Sequence, residues 1–196
     1  MKKIDETNQI KINKLAWAYL ITFRAYNSWS HGDKRTSVDS KNNVVGKPRI
    51  APNAALHRAM KSSALESELI LNAAQRETVL KSIIDTCQYN HWTLFAAHVR
   101  TNHIHIVLQS NKSAEQTMGK IKCYATRDLK KHHVELSTRN AFWGYHGSTD
   151  NIWGPEELFQ RLYYTVVEQG KPMALWYDKK VYDAYDIELY KAYFDR

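Results

Sequence analysis

Apolar positions recur along the chain with two periods, and the switches between them outline the fold. Residues 15–26, "LAWAYLITFRAY", are a nearly continuous aromatic and β-branched run and predict a buried first strand. Residues 27–53 are polar with scattered Gly and Pro, which predicts a long loop or insertion. Residues 54–72 carry a short helical pattern. Residues 73–90 place Val79, Leu80, Ile83, Ile84 and Cys87 at helical spacing. The segments "HWTLFAAHVR" and "HIHIVLQS" then read as two strands joined in a hairpin at Thr101-Asn102.

Residues 113–133 predict a second long helix, capped by Ser113, with Met118, Ile121, Ala125 and Leu129 on its apolar face. Residues 142–153 read as an irregular strand and turn. Gly154-Pro155-Glu156-Glu157 opens another helix, with proline in its first turn and acids at its positive end, which runs to Gly170. The tail, residues 176–196, is rich in tyrosine and is expected to pack on the body or fray. This order predicts an α+β, ferredoxin-like βαββαβ sandwich: an antiparallel sheet with helices on one face and an insertion over residues 27–72. A single domain spanning residues 1–196 is expected.

The alternation in "RTNHIHIVLQ" is where chemistry enters. In a strand, His103 and His105 point to one face while Ile104, Ile106 and Leu108 point to the other. Imidazoles on a sheet need polar partners or a metal. With nine histidines in the chain, such a triplet is weak evidence by itself, and two half-exposed strand histidines are the bland reading. Two imidazoles leave a divalent ion short of ligands, and an oxygen ligand shifts the preference toward Mg²⁺ or Mn²⁺. The helix over 155–169 offers Glu168 or Gln169 as the third ligand, together with Tyr163 and Tyr164. Tyr164 and Glu168, four apart, would share one helix face. A phenol beside a metal-held phosphodiester is a nucleophile. Against this, paired helical tyrosines are usually core or interface aromatics.

Charge sharpens the choice of partner. A net charge of +8 and a pI of about 9.4 in 196 residues favour a polyanion, nucleic acid first. Lys120, Lys122, Arg127 and Lys131 stud the second long helix, three of them recurring as a stripe, and Arg24 ends the first strand. The insertion adds Lys34, Arg35, Lys41, Lys47 and Arg49 near Trp29, a combination suited to single strands. His98 and His146 take bland defaults, a sheet histidine and a residue near the site. Only Cys87 and Cys123 occur, which argues against a disulfide framework or a cysteine zinc site. No apolar leader is evident, and the longest apolar run is too short to cross a bilayer. A reducing cytoplasm and no membrane partner are expected.

These residues resemble a known family. "TNHIHIVL" after "HWTLFAAHVR" resembles the His-hydrophobic-His motif of the single-tyrosine HUH transposases, the insertion-sequence transposases and their REP-associated relatives. "AYLITFRAYNSW" is similar to their first strand, "GKIKCYATRDLKK" to the helix after the histidines, and "FWGYHGSTDNIWGPEELFQRLYYTVVEQGKP" to their closing segment. The likeness covers roughly residues 15–175. It implies a metal-dependent single-stranded DNA endonuclease and strand transferase that recognises hairpins. In that chemistry a tyrosine forms a 5′-phosphotyrosine and leaves a free 3′-OH, with Mg²⁺ or Mn²⁺ as cofactor. His103 and His105 match the metal histidines, and Tyr164 the nucleophile. The family usually has Gln or Asn four residues after the tyrosine; here that residue is Glu168, with Gln169 next. Tyr163 and Tyr124, the latter with Asp128 four residues on, stay open as alternative nucleophiles. A homodimer is also left open, as is a domesticated relative that binds hairpin DNA or RNA without cleaving it. A metal-dependent hydrolase of small phosphoesters is a third, weaker reading, disfavoured by the basic charge and the insertion.

Overall fold

A computed structural model of the chain describes residues 16–29, 51 and 53–183. The elements run β1 (Ala18–Ala25), α1 (Ala54–Ser62), α2 (Ala73–Tyr89), β2 (Thr93–Val99), β3 (His103–Gln109), α3 (Ala114–His132), β4 (Trp143–Ile152), α4 (Pro155–Val166), β5 (Ala174–Tyr177) and α5 (Lys179–Asp183). The sheet order is β4-β1-β3-β2-β5, and every neighbouring pair is antiparallel. The first four strands follow the ferredoxin-like plan, and the fold is α+β as expected.

The alternation of side chains sorts the core into two layers. Tyr19, Ile21 and Phe23 of β1 and Ile104, Ile106 and Leu108 of β3 pack against Val79 and Ile83 of α2 and Ile121, Ala125 and Leu129 of α3. The even residues of β1, Ala18 and Leu20, join Val107 of β3 on the other face. There they meet Leu158 and Leu162 of α4 and Tyr182 of α5. Helices α2 and α3 thus share one face as expected, while α4 lies across the opposite one. A bulge in β2 between Leu94 and Ala96 puts both Phe95 and Ala96 on the α4 side. His98, two residues further on, therefore shares that side.

Local signals explain where the helices begin. Asn72 and Gln75 form a reciprocal capping box at α2, and Ser113 and Gln116 do the same at α3.

Three boundaries depart from the sequence pattern. Residues 143–152 form one ten-residue strand rather than a strand and turn, because a long antiparallel partner, β1, pairs with it, and the expected irregularity is a register shift opposite Phe23 to Ala25. Part of the tail is β5, which extends the sheet beyond β2. Helix α4 ends at Val166, three residues short of the predicted 169. Among the described residues, no helix is long and apolar enough to cross a membrane. The insertion residues Lys34, Arg35, Lys41, Lys47 and Arg49 lie outside the described residues.

Candidate active site on the α4 face

Strand register builds one end of this site. Thr22 pairs with His105 and Arg24 with His103 across β1 and β3, and His98 pairs with His105 across β2 and β3. All five share the face that α4 crosses. A cavity of about 260 Å³ opens there, lined by Thr22, Arg24, Asn102, His103, His105, Tyr164 and Gln169, with Ser28 and Trp29 at one side.

His105 is 4% exposed. Its Nδ1 lies 2.9 Å from Thr22 Oγ1, while its Nε2 is buried with no hydrogen-bond partner. Burial, reinforced by the charges of His103, His98, Arg100 and Arg24, pushes its pKa down to about 3. The ring is therefore neutral at physiological pH. With Thr22 accepting from Nδ1–H, the lone pair sits on the buried Nε2, the protonation a metal ligand needs. At His103 the Asn102 Oδ1 oxygen, 2.8 Å from Nδ1, can only accept, so Nδ1 carries a hydrogen. The two rings meet edge to face with centroids 5.0 Å apart.

The tyrosine arrives from above. Tyr164, 37% exposed, sets its ring edge-on to His105 with centroids 5.4 Å apart. Because α4 ends at Val166, the next residues do not continue along the helix face. The amides of Val167 and Glu168 both turn back to the Tyr163 carbonyl, at 2.8 and 3.4 Å. Gln169 Nε2 donates to the Tyr164 carbonyl at 3.1 Å, and Gly170, at φ 73°, reverses the chain toward β5. This turn brings Gln169 into the cavity. It does not bring Glu168 there, since the four-residue relation to Tyr164 holds only within a helix. Among the described residues no three His, Cys, Asp or Glu side chains gather in a way that could hold an ion.

The competing tyrosines are elsewhere. Tyr163 packs on Phe159, and burial first, then the Tyr163 phenol, raise the pKa of Tyr182. Tyr124 lines a groove between α2 and α3, under the Arg127 guanidinium at 4.5 Å, on the far side of the sheet.

The basic stripe is on that far side too. Lys122 donates to the carbonyls of Gly144, Tyr145 and His146 and lies 5.3 Å from the Phe23 ring centroid, and burial lowers its pKa. Lys120 donates to Asn90 Oδ1, Arg127 pairs with Asp128, and Lys131 lines the groove. Of the five expected DNA-binding cations, Arg24 alone reaches the cavity, its guanidinium stacked 3.1 Å over the Trp29 ring. His146 meets Tyr145 edge to face, with ring centroids 4.6 Å apart, and is not among the cavity residues.

Sequence reasoning passed over Thr22 and Asn102. Period-two alternation with Arg24 could have flagged Thr22, and adjacency to His103 could have flagged Asn102. The pairing of β1 with β3, which makes Thr22 a partner of His105, is a long-range fact.

The α+β sheet thus sets paired strand imidazoles beside a helical tyrosine. Residues 63–151 match the family model described as "Transposase IS200 like", a stretch that holds both histidines and stops short of Tyr164. Through this segment, a little under half of the chain, the protein is similar to the IS200-like transposases. A solved structure of a REP-associated tyrosine transposase bound to a REP hairpin is similar at 11% identity and a TM-score of 0.45, over 87% of this chain and 75% of that one. No curated protein matches the chain.

Proposed function

We propose that the protein is a metal-dependent single-stranded DNA endonuclease and strand transferase that acts on hairpin-flanked DNA through a phosphotyrosine at Tyr164. The observation that carries this reading is the Tyr164 ring set edge-on against His105, in one cavity with His103 and Gln169. The donor set fits a divalent cation: a buried, unpartnered His105 Nε2, the His103 imidazole and the amide oxygen of Gln169. These three would hold Mg²⁺ or Mn²⁺, with Glu168 as the alternative to Gln169. A divalent ion supplies charge that polarises a phosphodiester and eases ionisation of a phenol.

The chain's own groups do the rest. The phenol of Tyr164, half in solvent, gives its proton to water. Its Oη then attacks phosphorus, the bond to the 3′ oxygen breaks, and that oxygen leaves and takes up a proton. The 5′ phosphate stays on Tyr164. One ester has replaced another, so an incoming 3′-OH reverses the step and joins a new strand. Arg24 supplies positive charge on the same face for the backbone phosphate. The net charge of +8 suits a single-stranded or hairpin DNA partner.

A second reading, a non-cleaving binder of hairpin DNA or RNA, is favoured by the finding that among the described residues no three His, Cys, Asp or Glu side chains gather in a way that could hold an ion. An SDS-resistance assay with labelled hairpin and single-stranded oligonucleotides, in Mg²⁺, Mn²⁺ or EDTA, separates the two. The nuclease gives a protein–DNA band that EDTA abolishes; tight hairpin binding with no band under any condition would leave the binder.

A further inference from the structure

His98 is fully buried on β2, directly across from His105, and both of its ring nitrogens are engaged. Nδ1 lies 3.0 Å from the carbonyl oxygen of Thr165, the residue after Tyr164. Nε2 lies 3.2 Å from the amide nitrogen of Met173, just ahead of β5. A carbonyl can only accept and an amide N–H can only donate, so the ring is the neutral Nδ1–H tautomer, donating to Thr165 and accepting from Met173. The last carbonyls of a helix lack partners within it. At α4 the Tyr163 carbonyl takes main-chain amides, the Tyr164 carbonyl takes Gln169, and the Thr165 carbonyl takes His98. The segment between Thr165 and Met173 carries Gln169, and one imidazole holds both of its ends. Arg100 adds a tie at the Lys171 carbonyl, 3.0 Å away.

We propose that His98 is the positioning residue of the active site, clamping the end of α4 and the start of β5 so that Tyr164 and Gln169 stay over His105. This rests on the nucleophile assignment made above. His98 touches neither DNA nor an ion; it acts by fixing the backbone on both sides of the turn. A valine there would leave the buried Thr165 carbonyl and the part-buried Met173 amide without their imidazole partner. The side chains they carry would then drift, and displacements of about 1 Å cost on the order of 100-fold in rate.

The test is single-turnover adduct formation at saturating hairpin oligonucleotide in Mn²⁺, for wild type, His98→Val, His98→Asn and Tyr164→Phe. His98→Val should lower the rate constant about 10- to 100-fold while hairpin affinity stays close to wild type. His98→Asn, whose amide donates in place of Nδ1, should react faster than His98→Val. A loss confined to the amplitude, with the rate constant intact, would mean a merely structural histidine and overturn the clamp. So would a wild-type rate in His98→Val when Tyr164→Phe has lost the adduct. An adduct that survives Tyr164→Phe instead overturns the nucleophile assignment, and this inference with it. Amide exchange at Met173 is independent of activity: it should quicken in His98→Val, and unchanged protection overturns the clamp.

Discussion

The two faces of the sheet are made from alternate residues of the same strands, yet they are built to different ends. Toward α2 and α3, β1 and β3 present an unbroken apolar surface of fully buried side chains. Even the cations at the margin of that layer are tied up, as Lys122 is on three carbonyls of the β4 strand. Toward α4, the apolar layer stops partway along the strands. Leu20 and Val107 pack under Leu158 and Leu162, and the next positions are Thr22 and His105, then Arg24 and His103. Toward α4, the His105 Nε2 is buried without a hydrogen-bond partner at a residue that lines the cavity. An unsatisfied buried polar atom costs about 1–3 kcal/mol, and this one belongs to a residue that shares the cavity with His103, Tyr164 and Gln169. The lesson is that a half-apolar face can hold the helix that carries Tyr164 and still leave a polar cavity beside it.

Breaking the α4 side should abolish function before it harms the fold. His105→Ala removes the central nitrogen donor and is expected to lose detectable metal-dependent cleavage while circular dichroism stays native. Thr22→Val removes the group that orients His105, and metal affinity read by calorimetry should weaken about 10- to 100-fold. Breaking the other side should do the reverse. Ile106→Ala opens a cavity under α2 and α3 and should cost about 2–5 kcal/mol in denaturant unfolding, with metal affinity of the folded protein unchanged.

A smaller effect should appear in the pH dependence of the metal-free protein. His105 has a pKa of about 3 when folded, against about 6.5 in an unfolded chain. Between those values the unfolded chain binds a proton that the folded one refuses. Stability should therefore climb as pH rises from 3 to 6.5, be fully present above that window, and be lost as acid is added. Unfolding in EDTA across this range should give a shallower slope for His105→Asn; an unaltered slope would contradict the buried neutral ring. The smallest effect is expected for Tyr124→Phe, across the sheet, which should leave adduct yield at the wild-type level.

The sequence made some of this legible and hid the rest for identifiable reasons. Helix α3 was readable because its cap and its apolar stripe are local: Ser113 accepts the Gln116 amide, and Met118, Ile121, Ala125 and Leu129 recur at helical intervals. The shared face of His103 and His105 followed from alternation alone. The end of α4 was not readable. "TVVEQG" carries no unambiguous stop before Gly170, and the carbonyl of Thr165 is satisfied by His98, 67 residues earlier in the chain. That distant bond, with the turn it accompanies, is why Gln169 lines the cavity and Glu168 does not. His98 and His105 show the same limit. Both are buried histidines on paired strands, and the difference between a ring used twice for hydrogen bonding and a ring with an open nitrogen comes entirely from partners remote in sequence. Strand β5 is four residues long and has no pattern of its own; it exists because β2 offers an edge.

The most direct test of the central claim is to map the residue that carries DNA. Wild-type protein would be incubated with a hairpin-flanked single strand in Mn²⁺, digested with nuclease and protease, and its peptides sequenced by mass spectrometry. The account predicts a 5′-nucleotide on Tyr164. The same mass on Tyr163 or Tyr124, with Tyr164 unmodified, would contradict it.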